Sequence, residues 1–265
     1  MILQIITEQV IEAAKTAGKF ALNERANFLM NKVEVKGEHN FVSYVDKTCE
    51  KMLVEALSKV VPNAGFIAEE GTGVPKEGGL NWVIDPLDGT TNYIHGLSPY
   101  AVSVALMDGT DVLVGVVYEP NLDECFWANA ESAAYRNTDI IKVSDISTVN
   151  DSLVCTGFPY YDYSRIDQLM KSLDYFMRNS HGMRRLGSAA TDLVYVACGR
   201  FDAFYEYGLN PWDVAAGSLI VKRAGGNVCD YTKGSNYIFG GEIIATNAKV
   251  HTEFVDVVNG FMISK

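Results

Sequence analysis

The sequence predicts a mixed fold, α+β or layered α/β, in which helices and short strands alternate with antiparallel hairpins among them. Three observations carry that reading. Near the N-terminus, apolar residues recur at helical spacing, first at Leu3, Ile6, Val10, Ala14 and Ala17, then at Cys49, Leu53, Ala56, Leu57 and Val60. The two longest apolar runs, Ala101–Met107 and Val112–Tyr118, flank Asp108-Gly109, a dipeptide that closes tight hairpins. Through the second half, short β-rich segments alternate with helical patterns.

A helix is expected over residues 2–30. The polar stretch Lys36 to Asn40 follows, and Asp46 opens a second helix that Pro62 stops. Phe66-Ile67-Ala68 reads as a short strand running into Glu69-Glu70-Gly71. Trp82-Val83-Ile84 reads as another, ended by Asp85-Pro86. The hairpin strands, over 98–107 and 112–118, come next. Beyond them lie a strand near 152–157 and a helix near 163–178, with Ile166, Leu169, Leu173 and Phe176 on one face. Residues 188–198 read as helix and 201–206 as an alternating strand. A helix over 211–224 has Asn210 as its cap and Pro211 in its first turn. The chain ends in β structure and a helix capped near Asn247. No repeat or low-complexity linker interrupts the 265 residues, so one domain over 1–265 is expected, with a weak boundary near 140–150.

Composition narrows the function classes. Twenty-two Lys and Arg against 33 Asp and Glu leave a net charge of -11, the wrong sign for a protein that tracks a nucleic-acid backbone. An acidic protein that handles anions must supply positive charge locally, through helix N-termini or a bound metal. The five cysteines include no C-x-x-C pair, so a zinc ribbon or thioredoxin-type site is not expected, and the thiols read as small hydrophobes in a reducing compartment. The first ten residues carry Glu8 and no basic start, which makes a poor signal peptide. Neither apolar run approaches the ~20 residues that span a bilayer. A cytoplasmic protein without a transmembrane segment is expected.

The informative residues are acidic and sit at the ends of short apolar strands. Glu69 and Glu70 end one, Asp85 and Asp88 flank the end of another, and Asp213 lies in the first turn of a helix. Taken singly, each has a plain structural reading: a solvated pair, a strand terminator, a favourable charge at a helix N-terminus. Asp46 is by the same logic an N-cap. If the fold gathers the strand ends, the carboxylates repel one another unless a cation neutralises them. All-oxygen ligands select a hard ion such as Mg²⁺. In Asp85-Pro86-Leu87-Asp88-Gly89-Thr90-Thr91-Asn92 two carboxylates precede a glycine and a helix-like start, where free backbone N–H groups cradle an anion. Metal ligands beside an anion pocket point to metal-assisted phosphoryl transfer to water. The D-x-D pattern of aspartyl-phosphate phosphatases is not met. No G-x-S-x-G elbow occurs, and the four histidines form no H-x-x-x-H pair.

The chain resembles the inositol monophosphatase family, within the lithium-sensitive, magnesium-dependent sugar-phosphatase superfamily. Three stretches carry the likeness in order: Ala68-Glu69-Glu70-Gly71; Trp82-Val83-Ile84-Asp85-Pro86-Leu87-Asp88-Gly89-Thr90-Thr91-Asn92; and Trp212-Asp213-Val214-Ala215-Ala216-Gly217 running on to Ala224-Gly225-Gly226. The resemblance implies a layered α/β/α/β/α sandwich of the inositol monophosphatase and fructose-bisphosphatase type, and a homodimer. It implies two or three Mg²⁺ per active site. Glu69, Asp85 and the Leu87 carbonyl would hold the first, and Asp85, Asp88 and Asp213 the second. A third would lean on Glu69 through water, with Glu70 in support. Asp46 would accept a hydrogen bond from the Thr90 hydroxyl and so align the attacking water. The N–H groups of Gly89 and Thr90 would hold phosphate, while Asp88, the Ala189 main chain, Glu206 and Asp213 would face the alcohol of a small phosphorylated polyol.

The chain departs from the family pattern at Asn40-Phe41-Val42-Ser43, where Asp-Leu-Val-Thr is usual, at Gly71 in place of serine, and at Arg223 in place of glutamate. None of these removes a ligand. The leading expectation is hydrolysis of myo-inositol monophosphate or an inositol-phosphate head group, favoured by Glu206. The same motifs also serve fructose-1,6-bisphosphatases, histidinol-phosphate phosphatases and 3′-phosphoadenosine-5′-phosphate phosphatases. A non-catalytic relative acting as a binding protein would be expected to have eroded ligands.

Overall fold

The computed structural model describes residues 2–26, 33–37 and 40–263, without side chains for 33–37 and 40–42. Helix α1 (Ile2–Arg25) leads to a hairpin, β1 (Val33–Gly37) and β2 (Asn40–Ser43), and then to α2 (Tyr44–Val60). The first helix is thus shorter than expected, and residues 27–30 lie outside those described. The stretch read only as polar, Lys36 to Asn40, overlaps the end of β1 and the start of β2, which pair antiparallel.

A seven-stranded sheet follows: β3 (Gly65–Ala68), β4 (Leu80–Asp88), β5 (Ala101–Asp108), β6 (Asp111–Glu119), β7 (Glu124–Asn129), β8 (Tyr135–Arg136) and β9 (Asp139–Ile140), in that spatial order. The short helix α3 (Thr90–His95) sits between β4 and β5. Only β3–β4 is parallel; the other pairs are antiparallel, including the β5–β6 hairpin that Asp108-Gly109 announces. Contrary to the expectation of a short strand ended by Asp85-Pro86, β4 continues through Pro86 to Asp88. Its register against β5 shifts between Asp85 and Asp88, and an irregularity of this kind accommodates a proline that cannot donate to the ladder.

Past residue 140 the chain leaves this sheet and enters a second one. It comprises β10 (Leu153–Thr156), β11 (Gly182–Arg184), β12 (Ala203–Tyr207), β13 (Asn227–Cys229) and β14 (Glu242–Thr246), in the order β11-β10-β12-β14-β13. Helices α4 (Ile166–Asn179), α5 (Ala189–Ala197), α6 (Pro211–Arg223) and α7 (His251–Met262) complete the chain. Asn247 lies just ahead of α7, where its side-chain oxygen accepts from the N–H groups of Lys249 and Val250, while Val250 is the capping residue itself.

Alternation along the strands sorts the core into three compartments. Trp82, Ile84, Val102, Val104 and Val116 face α1 and α2. Val83, Ala105, Val117 and Phe126 turn the other way, onto α5, α6 and the Phe204, Ile243 and Ala245 face of the second sheet. Ala203, Tyr205, Tyr207 and Ile244, on that sheet's opposite face, meet α4 and α7. The stack is therefore α/β/α/β/α, the expected layered sandwich. No helix among the described residues is long and apolar enough to cross a membrane.

The first sheet and the helical layer beneath it approach closely where β6 meets α6. A Cβ on Gly115 would stand 2.7 Å from the Ala216 carbonyl oxygen, a backbone atom that has no rotamer by which to yield. Gly115→Ala is therefore expected to cost about 1–3 kcal/mol, the range for overpacking a filled core, read as a lower urea midpoint at unchanged slope. A midpoint indistinguishable from that of the parent chain would show that the two layers have slack there.

Candidate active site

Each carboxylate is delivered by a different local device. The β4 register shift brings Asp85 and Asp88 to a common side, so that one oxygen each from Asp85, Asp88 and Asp213 lie within 4.8 Å of one another. Asp85 turns an oxygen onto the Leu87 N–H at 2.9 Å, which tightens the turn. Asp88 accepts from Ser188 Oγ and the Ala190 N–H, both at 2.7 Å, and is thereby tied to the start of α5. Asp213 is the third residue of α6; it accepts from the Asn210 N–H at 2.6 Å in a capping box. The first sheet is stitched to this helix by Ser103, cross-strand partner of Asp85, whose hydroxyl donates to the Trp212 carbonyl at 3.1 Å.

Glu69 follows β3, and its carboxyl lies close enough to that of Asp85 for the two to interact electrostatically. The turn that carries Glu69 and Glu70 is anchored by Glu50, a buried residue of α2 that accepts from the N–H groups of Glu70 and Thr72, each at 2.7 Å. Sequence reasoning missed Glu50. Its spacing of four from Asp46 places both on one face of α2 and was the available signal. Asp46 itself is the third residue of α2, not its N-cap. Ser43 caps the helix, and Asp46 Oδ2 accepts from the Ser43 N–H and hydroxyl. The other oxygen, Asp46 Oδ1, lies 3.0 Å from Thr90 Oγ1, which is also 3.0 Å from the Leu87 carbonyl. The single hydroxyl proton thus has two acceptors to choose between. Gly89 precedes Thr90 with φ +94°, a conformation that L side chains rarely adopt, and a Cβ there would crowd the Gly187 and Pro99 carbonyls.

Glu69, Asp85, Leu87, Asp88, Gly89, Thr90 and Asp213 line one cleft of about 420 Å³, together with Gly187, Ala189, Asp192, Arg185 and Glu206. Asp46 is buried behind Thr90 and reaches the cleft only through that hydroxyl. Glu70 is absent from the lining. Side chains at 40–42, where the chain departs from the family pattern, lie outside the described residues. Asp192 and Arg185 were not expected from sequence. Asp192 is buried in the first turn of α5, facing Cys155 and Glu206, and a lone Asp in a helix carries no visible mark of function.

Burial dominates the electrostatics. It pushes Glu69 up to about 8, with the Asp213 charge adding to the effect. It pushes Asp88 to about 6 against the opposing hydrogen bonds from Ser188 and Ala190, and Glu206 to about 8, with Asp88 adding. Asp85 and Asp213 are raised well above the carboxylate range, first by burial and then by neighbouring carboxylates. Burial raises Asp46 as well, opposed by hydrogen bonds from Ser43 and Thr90. Among the described residues, Arg185 is the one Lys or Arg that lines the cleft. Acidic groups this close, with so little compensating charge, favour either protons or a hard cation. The donor set, carboxylate and carbonyl oxygen without His or Cys, fits the latter.

Comparison with known proteins agrees with this geometry. The model of the inositol monophosphatase family matches residues 3–259. A putative Nus factor SuhB of Neisseria meningitidis serogroup B is 38% identical over 94% of this chain and 95% of its own. An inositol-1-monophosphatase of Mesorhizobium japonicum is 35% identical over 94% of each. The solved structure of a Thermotoga maritima IMPase superposes with a TM-score of 0.86 at 33% identity, covering 95% of each chain. Fold, motifs and relatives together make this chain a member of the inositol monophosphatase family.

Proposed function

We propose that the chain is a Mg²⁺-dependent phosphomonoesterase that hydrolyses myo-inositol monophosphate, or an inositol-phosphate head group, to inositol and phosphate. The observation that carries this reading is the convergence of Asp85, Asp88 and Asp213 in the cleft that also holds Thr90 and Glu206. Glu69, Asp85, the Leu87 carbonyl, Asp88 and Asp213 would hold Mg²⁺, two or three ions in all, with Glu70 in support. Bound there, the metal supplies Lewis-acid polarisation of the phosphoryl oxygens and a more acidic water.

The remaining work falls to the chain. Thr90 Oγ1 donates to Asp46 Oδ1, which leaves its lone pairs to accept a hydrogen bond from the attacking water and fix that water's direction. The water oxygen bonds to phosphorus, the ester P–O bond breaks, and the departing alcohol oxygen takes up a proton. The N–H groups of Gly89 and Thr90 hold phosphate oxygens. Glu206, the Ala189 main chain, Asp88 and Asp213 face the polyol. Glu206 decides the alcohol, because phosphate and metal contacts are common to every substrate.

Two other readings have support of their own. The shared motifs also suit a sugar or nucleotide phosphatase. Relatives named Nus factor, such as that of Pseudomonas aeruginosa at 38% identity, favour a binding role beside or instead of catalysis. Intact acidic ligands favour the enzyme.

Phosphate release from inositol 1-phosphate is expected to require Mg²⁺, to stop in EDTA and to fall by orders of magnitude in Asp85→Asn; undiminished release in EDTA would overturn the reading. The same ligands set a pH rule. Carboxyls raised to about 6 for Asp88 and about 8 for Glu69 bind more protons folded than unfolded. Without metal, stability should fall as pH climbs from about 5 to about 8. Added Mg²⁺ should raise the Tm more at pH 8 than at pH 5.5, and an equal rise at both would remove the carboxylates from the binding site.

Thr90→Val and Asp46→Asn should each lower kcat by about 10²–10⁴, the usual range for lost proton-transfer assistance, with little change in Tm. Near-parental kcat in both would leave Asp46 as part of the α2 cap alone. Glu206→Gln should reduce kcat/KM for inositol 1-phosphate far more than for p-nitrophenyl phosphate, which has no ring hydroxyls to present. Equal losses on the two esters would mean that Glu206 serves the metal site or the fold.

A further inference from the structure

The cleft has a second wall whose chemistry differs from that of the carboxylates. It is built by Gly157-Phe158-Pro159-Tyr160-Tyr161, the segment that leaves β10. The wall begins where Glu206 sits: a Cβ on Gly157 would fall within about 2 Å of that carboxylate. Phe158, Tyr160 and Tyr161 all line the cleft, yet they remain 45%, 37% and 58% exposed. Rings of this size gain about 1.5–3 kcal/mol each when fully buried, so three left in water at the mouth of one cavity mark a surface that expects cover.

The wall is braced. The Arg185 guanidinium lies 5.5 Å from the centroid of the Phe158 ring and donates to Tyr160 Oη at 2.9 Å, which holds two of the three rings from one point. Its buried Nε has no hydrogen-bond partner among the described residues. Hydrogen-bond acceptors for hydroxyl groups are concentrated at Glu206 and at Asp192, whose buried Oδ1 is also unpartnered. Beyond the Tyr160 and Tyr161 hydroxyls, the first of which is held by Arg185, the rings offer π-faces. Such faces, next to a guanidinium plane, take up flat unsaturated rings by stacking.

We propose that Phe158, Tyr160 and Tyr161, braced by Arg185, form a leaving-group subsite for a flat unsaturated ring, so that the chain also hydrolyses phosphate monoesters of ring-bearing alcohols. The subsite rests on the phosphomonoesterase reading and uses the same hydrolysis: water bonds to phosphorus, the ester P–O bond breaks, and the ring-bearing alcohol leaves with a proton. Its occupant is the substrate's own alcohol, because the wall is continuous with the cleft that holds the carboxylates.

The test compares kcat/KM for 2-phenylethyl phosphate, 2-cyclohexylethyl phosphate and glycerol 2-phosphate, using the full chain with Mg²⁺. The phenyl ester should be preferred over both others. Phe158→Ala and Tyr160→Ala should each lower the phenyl-to-glycerol ratio by about tenfold or more, the scale of one lost aromatic stack, and Phe158→Trp should retain it. An unchanged ratio in both alanine variants overturns the subsite while the phosphatase reading stands. Equal preference for the cyclohexyl ester overturns the flat-ring selection. An unchanged ratio with an altered molecular mass assigns the wall to an interface between copies of the chain and overturns the proposal too. If no ester is hydrolysed, the phosphomonoesterase reading and the subsite fail together.

Discussion

Mutual repulsion among buried carboxylates is the constraint around which this molecule is arranged. Asp85, Asp88 and Asp213 present oxygens within 4.8 Å of one another, and the Glu69 charge acts on Asp85 as well. Such a cluster works against folding unless each member is held by something else. Each is: Asp88 by the first turn of α5, Asp213 by its own helix start, Asp85 by a backbone N–H, and the Glu69 turn by Glu50. The scaffold thus fixes the carboxylates through donors that leave other oxygens free for a cation.

The layered core explains how such fixing is possible. Three apolar compartments lock both sheets and the intervening α5 and α6 layer, so Asp85, Asp88 and Asp213 are carried by a strand and a helix start rather than by loops. Ser103, opposite Asp85 and bonded to the Trp212 carbonyl, ties the strand that carries two acidic groups to the helix that carries the third. Catalytic geometry is most accurate when supplied from elements of this kind.

Much of this was legible in the chain. Local signals identified helix α6, with its Asn210-Pro211 start, and the β5–β6 hairpin, because capping and turn chemistry are written in adjacent residues. The acidic positions were legible because Asp85 to Asn92 packs two carboxylates, a glycine and a threonine into one short segment. What stayed hidden depended on distant partners. Ser43 displaced Asp46 as the α2 cap through a hydrogen bond within the helix start, a choice that periodicity does not register. Asp192, Arg185 and the exposed rings of Phe158 and Tyr160 acquire meaning only when α5, the end of β11 and the segment after β10 meet across the cleft. The continuation of β4 past Pro86 was hidden for a related reason: a proline reads as a stop unless the partner strand's register is known.

That register shift carries a further consequence. In a regular strand, residues three apart point to opposite faces, yet Asp85 and Asp88 converge. Their convergence depends on the count of residues between them as much as on their identity. The segment therefore has a reading frame of its own. Pro86 or Leu87 can be exchanged for another residue with the carboxylates still facing one another. The partners Ser103 and Ala101 are two apart while the aspartates are three apart, so removal of Pro86 or Leu87 would take out the extra residue and restore a regular ladder. Asp88 and the Gly89-Thr90 turn would be drawn back by one position relative to Asp85, changing the cluster with every acidic residue still present. Length variation in this family should accordingly collect in segments such as 71–79 and 158–165, and spare the two residues between these aspartates.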